Sequence, residues 1–263
     1  MKSWIGLLKK EFYLSKTNVL IALVGLLVAI IASFIIAQKM DEPAVMFGIS
    51  LVILGLHIFN LAIYMLNSLQ VESRQMHLWL HNPQPAAKLL IAKLANGFGA
   101  FLLSLSVSIL FAIYAGNQSL DYYDIVILDW SAVSQVMGTI IFYLVNIAIH
   151  FAIWVIFYWA IHQVIKGYIG KFSIVLTILL FFFVQWGFAW ITETKLYYLI
   201  TGWGKMPVRF EQSTFLSMFS VPPDVINGEI QLLFFGEYLF YVLLSIGLFF
   251  LSCWLIDRKV EVR

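Results

Sequence analysis

One cysteine, Cys253, stands in the whole chain, so an intramolecular disulfide is impossible and thiol-pair or cysteine-rich metal chemistry is excluded. It falls within the last apolar run, where it reads as a small packing residue. Charge is nearly as scarce. Only 11% of the 263 residues are charged and 62% are hydrophobic, against about 25% and 45–50% in an ordinary soluble domain. No soluble core hides such an excess, so lipid is the expected solvent. The net charge of +2 is too small to argue for nucleic acid. No internal repeat is visible, and no pair of broken helices recurs in the two halves, which disfavours an inverted-repeat secondary transporter. H-E-x-x-H, Gly-x-Ser-x-Gly, paired intramembrane carboxylates and G-x-x-x-x-G-K-[ST] are all missing, and Gly202-Trp203-Gly204-Lys205 lacks the spacing of the last. The chain is therefore not expected to be an enzyme. Residues 1–16 interleave lysines with apolar residues and lack a small-residue cleavage pattern, so they do not read as a cleavable signal.

What the sequence has is long apolar runs. An all-α integral membrane protein of six transmembrane helices is expected, with spans at about 18–37, 45–69, 94–115, 132–161, 172–191 and 238–256 in a single domain over 1–263. Gly116-Asn117-Gln118 reads as a turn closing the third span. Residues 192–236 are too polar for a simple crossing and too apolar for a solvated linker. Leu196 to Leu199 and Phe215 to Phe219 suggest short interfacial or re-entrant helices there. If both termini are cytoplasmic, Lys2, Lys9, Lys10, Lys16, Arg74, Lys88, Lys93, Lys166, Lys171, Arg258, Lys259 and Arg263 share that side, twelve of the 16 basic residues. The positive-inside bias then sets the orientation.

Three groups of residues are candidates for function. Ser3 to Ser15 places Trp4, Ile5, Leu7, Leu8, Phe12 and Leu14 on one helical face with Lys9, Lys10 and Tyr13 opposite, so it reads as an interfacial helix that turns into the first span. Glu11 breaks that apolar arc. It either tilts into the headgroups beside Lys10 or pairs with a cation of the first cytoplasmic loop. That loop, Gln70 to Lys93, opens with Glu72, Ser73 and Arg74. It continues through Met76, His77, Leu78, Trp79, Leu80 and His81 to the helix-stopping Pro83 and Pro85. A short amphipathic helix of this kind is either a knob for another protein to grip or an interfacial turn anchored by Trp79. Within the spans, His57 and Asn60 share one helical face, as do Asn146 and His150, and Gln185 is similar. Such groups serve as helix-to-helix hydrogen-bond donors, line a path for polar cargo, or, for the two histidines, offer axial nitrogens to haem.

The order of these parts resembles a known family. A lysine-rich amphipathic first helix with Lys10-Glu11, two spans, then Glu72 and Leu78-Trp79-Leu80-His81-Asn82-Pro83, followed by Leu89-Leu90-Ile91-Ala92-Lys93, is similar to the permease subunits of ABC-2-type transporters. The resemblance implies an interfacial elbow helix around Lys9, Lys10 and Glu11, and a coupling helix over Glu72 to His81 seated in a cleft of an ATPase. It implies two partner ATPase subunits that bind ATP and Mg, no cofactor on this chain, and a second permease copy or sister permease in a bacterial plasma membrane. The expected cargo of such an exporter is amphipathic: a peptide, a drug-like molecule or a lipid-linked glycan. An intramembrane redox or haem subunit and a secondary transporter are the competing expectations.

Overall fold

The computed structural model describes residues 2–74, 76, 84–123, 130–208 and 230–260. Seven α-helices are seen among them: α1 Lys2–Met40, α2 Pro43–Ser73, α3 Ala86–Tyr122, α4 Trp130–Ile169, α5 Ser173–Thr192, α6 Lys195–Thr201 and α7 Phe235–Lys259. Five helical stretches are long and apolar enough to cross a membrane: Trp4–Met40, Pro43–Ser73, Ala86–Tyr122, Met137–Thr192 and Phe235–Lys259. The protein is thus a helical, multi-pass membrane protein. The expected count of six spans is not reached by this measure. The break between the fourth and fifth apolar runs is only the 3-10 turn Gly170–Phe172, so they count as one stretch of 56 residues. Gly170 takes a φ of 58° there, which a residue with a Cβ rarely adopts.

Three further expectations are corrected. The amphipathic N-terminal segment does not turn before the first span, because α1 runs unbroken over 39 residues with no glycine–proline signal between Ser15 and Asn18 to stop it. Gly116-Asn117-Gln118 lies inside α3, not in a turn. Glycine in a helix costs only about 1 kcal/mol relative to alanine, and carrying the helix on brings two tyrosines to the α1–α2 turn. Tyr122 donates to the Asp41 carbonyl at 3.3 Å, and Tyr123 donates to the Glu42 carboxylate, which holds the Tyr123 phenol above its usual range. Finally, the segment after α5 holds the expected short helix α6 over Leu196 to Leu199, but also an antiparallel strand pair, β1 Lys205–Val208 with β2 Ile230–Phe234. Phe215 to Phe219 lie outside the described residues.

The turn between α1 and α2 follows from local chemistry. Asp41 adopts a left-handed φ of 50°, and the amides of Glu42 and Asp41 reach back to the carbonyls of Ala37 and Gln38 at 3.1 and 3.4 Å. This is the Schellman closure with aspartate where glycine is usual. Pro43 then opens α2, where its missing N–H is no loss.

The chain divides into two compact units. The first comprises residues 1–126 and 144–156, in which α1, α2 and α3 pack together. On α2 the buried face runs through Met46, Ser50, His57, Leu61, Met65, Leu69 and Glu72. On α3 it runs through Ala86, Leu90, Lys93, Gly97, Phe101, Ser104, Ser108 and Ala115. In lipid, close backbone approach and dispersion hold helices together, which favours small residues on these faces. Gly97 shows this most sharply: a Cβ there would lie 2.4 Å from the Tyr64 ring. In the second unit, residues 127–143 and 157–263, Tyr197 of α6 meets Phe240 of α7 edge to face at 5.3 Å. Phe188 of α5 stacks on the same ring at 6.2 Å.

Candidate functional site

The site that emerges from the first unit is a buried ion cluster joining three helices. Lys93 Nζ of α3 lies 2.6 Å from Glu11 Oε2 of α1 and 2.9 Å from Glu72 Oε1 of α2, and donates to Ser68 Oγ at 3.2 Å. Its side chain is 1% exposed, that of Glu11 2% and that of Glu72 11%. Lys10, half-exposed at the rim, approaches Glu72 at 3.4 Å and Glu11 at 3.9 Å. Two cations therefore face two carboxylates and the cluster is formally neutral. Neutrality matters, because an uncompensated charge in such a place costs several kcal/mol. Next to the cluster, Asn96 donates to the Leu8 carbonyl at 3.2 Å and so fixes the start of α1 on α3.

Of the two expectations for Glu11, pairing with a cation of the first loop is the one observed, and the cation is Lys93. The sequence places Lys93 at the end of the first loop and among the cytoplasmic charges, without singling it out as the partner of Glu11. The signal that identifies it is periodicity: Leu90, Lys93, Gly97 and Phe101 follow one another at helical spacing on the buried stripe of α3, so the lysine stands where an apolar residue is expected.

The cluster is placed at the roots of the loop. Glu72 is in the last turn of α2, Arg74 caps that helix and is exposed, and α3 begins at Ala86 with Pro85 before it. His77, Leu78, Trp79, Leu80 and His81 lie outside the described residues. Lys9 is exposed on α1.

The intramembrane polar residues divide. His57 is buried, with Nδ1 2.8 Å from the Ile53 carbonyl and Nε2 3.4 Å from Ser108 Oγ. Asn60 donates to Ser104 Oγ at 3.2 Å. Both bind α2 to α3. Asn146 and His150 are half-buried on the part of α4 that belongs to the first unit, where the His150 Nε2 accepts from Trp154 at 2.8 Å. Gln185 is half-buried on α5 in the second unit. Among the described residues no group of three or more His, Cys, Asp or Glu is placed to hold a metal ion.

Two small cavities run between α1, α2 and α3. One, of about 20 Å³, touches Glu72, Lys93, Ser68, Ser15 and Tyr64. The other, of about 70 Å³, is lined by Asn60, Ser104 and Ala100 among others, and shares Asn18, Tyr64 and Asn67 with the first.

No family model matches the chain, and no solved structure matches it. A curated relative, "Uncharacterized protein YhcE" of Bacillus subtilis (strain 168), is 33% identical over 95 residues. The match takes in 36% of this chain and 37% of that relative's length.

Proposed function

We propose that this chain is the membrane-spanning permease subunit of an ABC-2-type exporter, driven by separate ATPase subunits and working with a second permease copy. The observation that supports this reading best is the Glu11–Lys93–Glu72 cluster. It ties the N-terminal helix to both roots of the loop between Arg74 and Gln84, so a push on that loop moves three helices together. A loop that merely reversed the chain at the membrane surface would need no buried charges at its roots. Coupling requires the loop to make different contacts in the two nucleotide states of the ATPase, which a rigid base transmits and a floppy one absorbs.

In this reading the stretch Met137–Thr192 crosses twice, since 56 residues at about 1.5 Å each make about 84 Å, far more than one hydrocarbon core of about 30 Å. Both termini and the loop are cytoplasmic, in a bacterial plasma membrane. ATP and Mg are held by the partner ATPases, and the cargo is amphipathic. Leu78→Asp combined with Leu80→Asp tests the assignment of the loop: membrane insertion is retained while ATPase association is lost. Unchanged association in a pull-down removes the loop from the coupling role.

A further inference from the structure

His57 poses a hydrogen-bond problem. Its Nδ1 faces the Ile53 carbonyl at 2.8 Å and must carry a proton, so in the neutral ring Nε2 is an acceptor. Nε2 faces Ser108 Oγ at 3.4 Å, but Ser108 has one hydroxyl proton and also lies 3.1 Å from the Ser104 carbonyl. Two arrangements satisfy the geometry. In the neutral state the Ser108 hydroxyl donates a hydrogen bond to Nε2 in place of the one to the Ser104 carbonyl. In the charged state Nε2–H donates to Ser108 Oγ, and Ser108 donates onward to the Ser104 carbonyl, so every group is used.

The way toward His57 carries polar groups along one side. From Glu72 and Lys93 the two cavities lead past Tyr64 to Asn60 and Ser104, with Val19, Ala22, Leu23, Ile63 and Ala100 as the apolar wall, and end one helical turn short of Ser108. Tyr64 is 9% exposed, with Ser15 beside its hydroxyl. A cavity of about 10–15 Å³ is large enough for one water, so volumes of about 20 and 70 Å³ have room for one water and for more than one. Asn18 and Asn67 are exposed at the rim, where amides facing hydrocarbon are costly and amides facing water are not. At about 1.5 Å per residue, His57 lies about 22 Å along α2 from Glu72, well inside the membrane.

We propose that the α1–α2–α3 seam carries water from the Glu72–Lys93 end to Asn60 and Ser104, one helical turn from His57 and Ser108, and that His57 is an intramembrane proton-binding site. A hydronium delivered by the seam gives its proton to Nε2 and leaves water. The Ile53 carbonyl and Ser108 Oγ accept from the resulting imidazolium, and release runs the same steps in reverse. On the stretches of helix beside it the titratable groups are Tyr64 on α2, Tyr114 on α3 and His150 on α4, which meets α2 through Phe59 and Phe151; α1 has none between Lys16 and Lys39, and Glu72, Lys93 and Asp121 stand nearer the helix ends. The carboxylates of α2 and α3, Glu72 and Asp121, stand near the ends of those helices, so none lies beside the ring to hold the proton in its place. The inference rests on the orientation proposed above only for the side from which water enters.

The test uses the full chain in lipid, with Cys253→Ser removing its only thiol. Asn67→Cys and Asn60→Cys are expected to react with a membrane-impermeant thiol reagent about tenfold faster than the lipid-facing control Val24→Cys. In ¹⁵N-histidine spectra, a resonance absent from His57→Gln should pass from neutral to imidazolium as pH falls. Ser108→Ala should weaken that proton binding about tenfold, since a hydrogen bond to the charged ring is lost, and Ser108→Thr should restore it. Labelling no faster than the control, or a His57 resonance that never protonates, overturns the proposal even if the other result is obtained. Labelling only from the Asp41 side overturns a path that opens at the Glu72–Lys93 end.

Discussion

Lys93 is the residue on which the first unit depends most. Removing its charge leaves Glu11 and Glu72 buried together without their main counter-ion, and breaking a buried pair in this way costs about 3–5 kcal/mol. Lys93→Met is therefore expected to lower the unfolding midpoint of the detergent-solubilised protein sharply. Lys93→Met with Glu11→Gln should recover much of the loss, because the Lys10–Glu72 pair remains. A single variant as stable as the parent would show that the cluster is hydrated in solution and contributes little. At this scale the sequence was half legible. Glu11 announced itself by interrupting an apolar arc, but its partner is 82 residues away, and only the buried stripe of α3 marks Lys93 as inward-facing. Ser68, Ser104 and Ser108 carried no such mark, since serines also stand at exposed helix positions such as Ser106.

The packing of elements turns on the close approach of α2 and α3. With Tyr64 ring carbons 2.4 and 2.6 Å from where a Cβ at residue 97 would lie, Gly97→Ala must displace the ring or part the helices. The expected cost is about 1–3 kcal/mol, read as a lower unfolding midpoint. Tyr64→Leu in the same chain should relieve it. An unperturbed Gly97→Ala would mean that the two helices are further apart than described. The apolar runs located the helices well, because lipid leaves a spanning backbone almost no choice but helix. Their ends were less legible. Gly116 and the boundary between the N-terminal segment and the first span both read as breaks and both continue as helix, since one weak helix former costs less than the contacts that α3 gains through Tyr122 and Tyr123. The strand pair after α5 escaped notice because four- and five-residue strands separated by a long segment leave no alternation to detect.

For the molecule as a whole, the class was plain from composition: a chain with 62% hydrophobic and 11% charged residues has to live in lipid, and the five apolar helical stretches agree. Function was less legible: on the proposed reading the chemistry lies in a partner, and this chain shows only the surface that meets it. In this account that surface is the loop after Arg74, braced by Glu11, Lys93 and Glu72. The most direct test of the central claim is a mild-detergent pull-down of the tagged chain from its native host, read by mass spectrometry and by ATP hydrolysis. Recovery of an ATPase in stoichiometric amount, with hydrolysis in the same fraction, is the predicted result. A clean chain without ATPase or hydrolysis would contradict the permease reading.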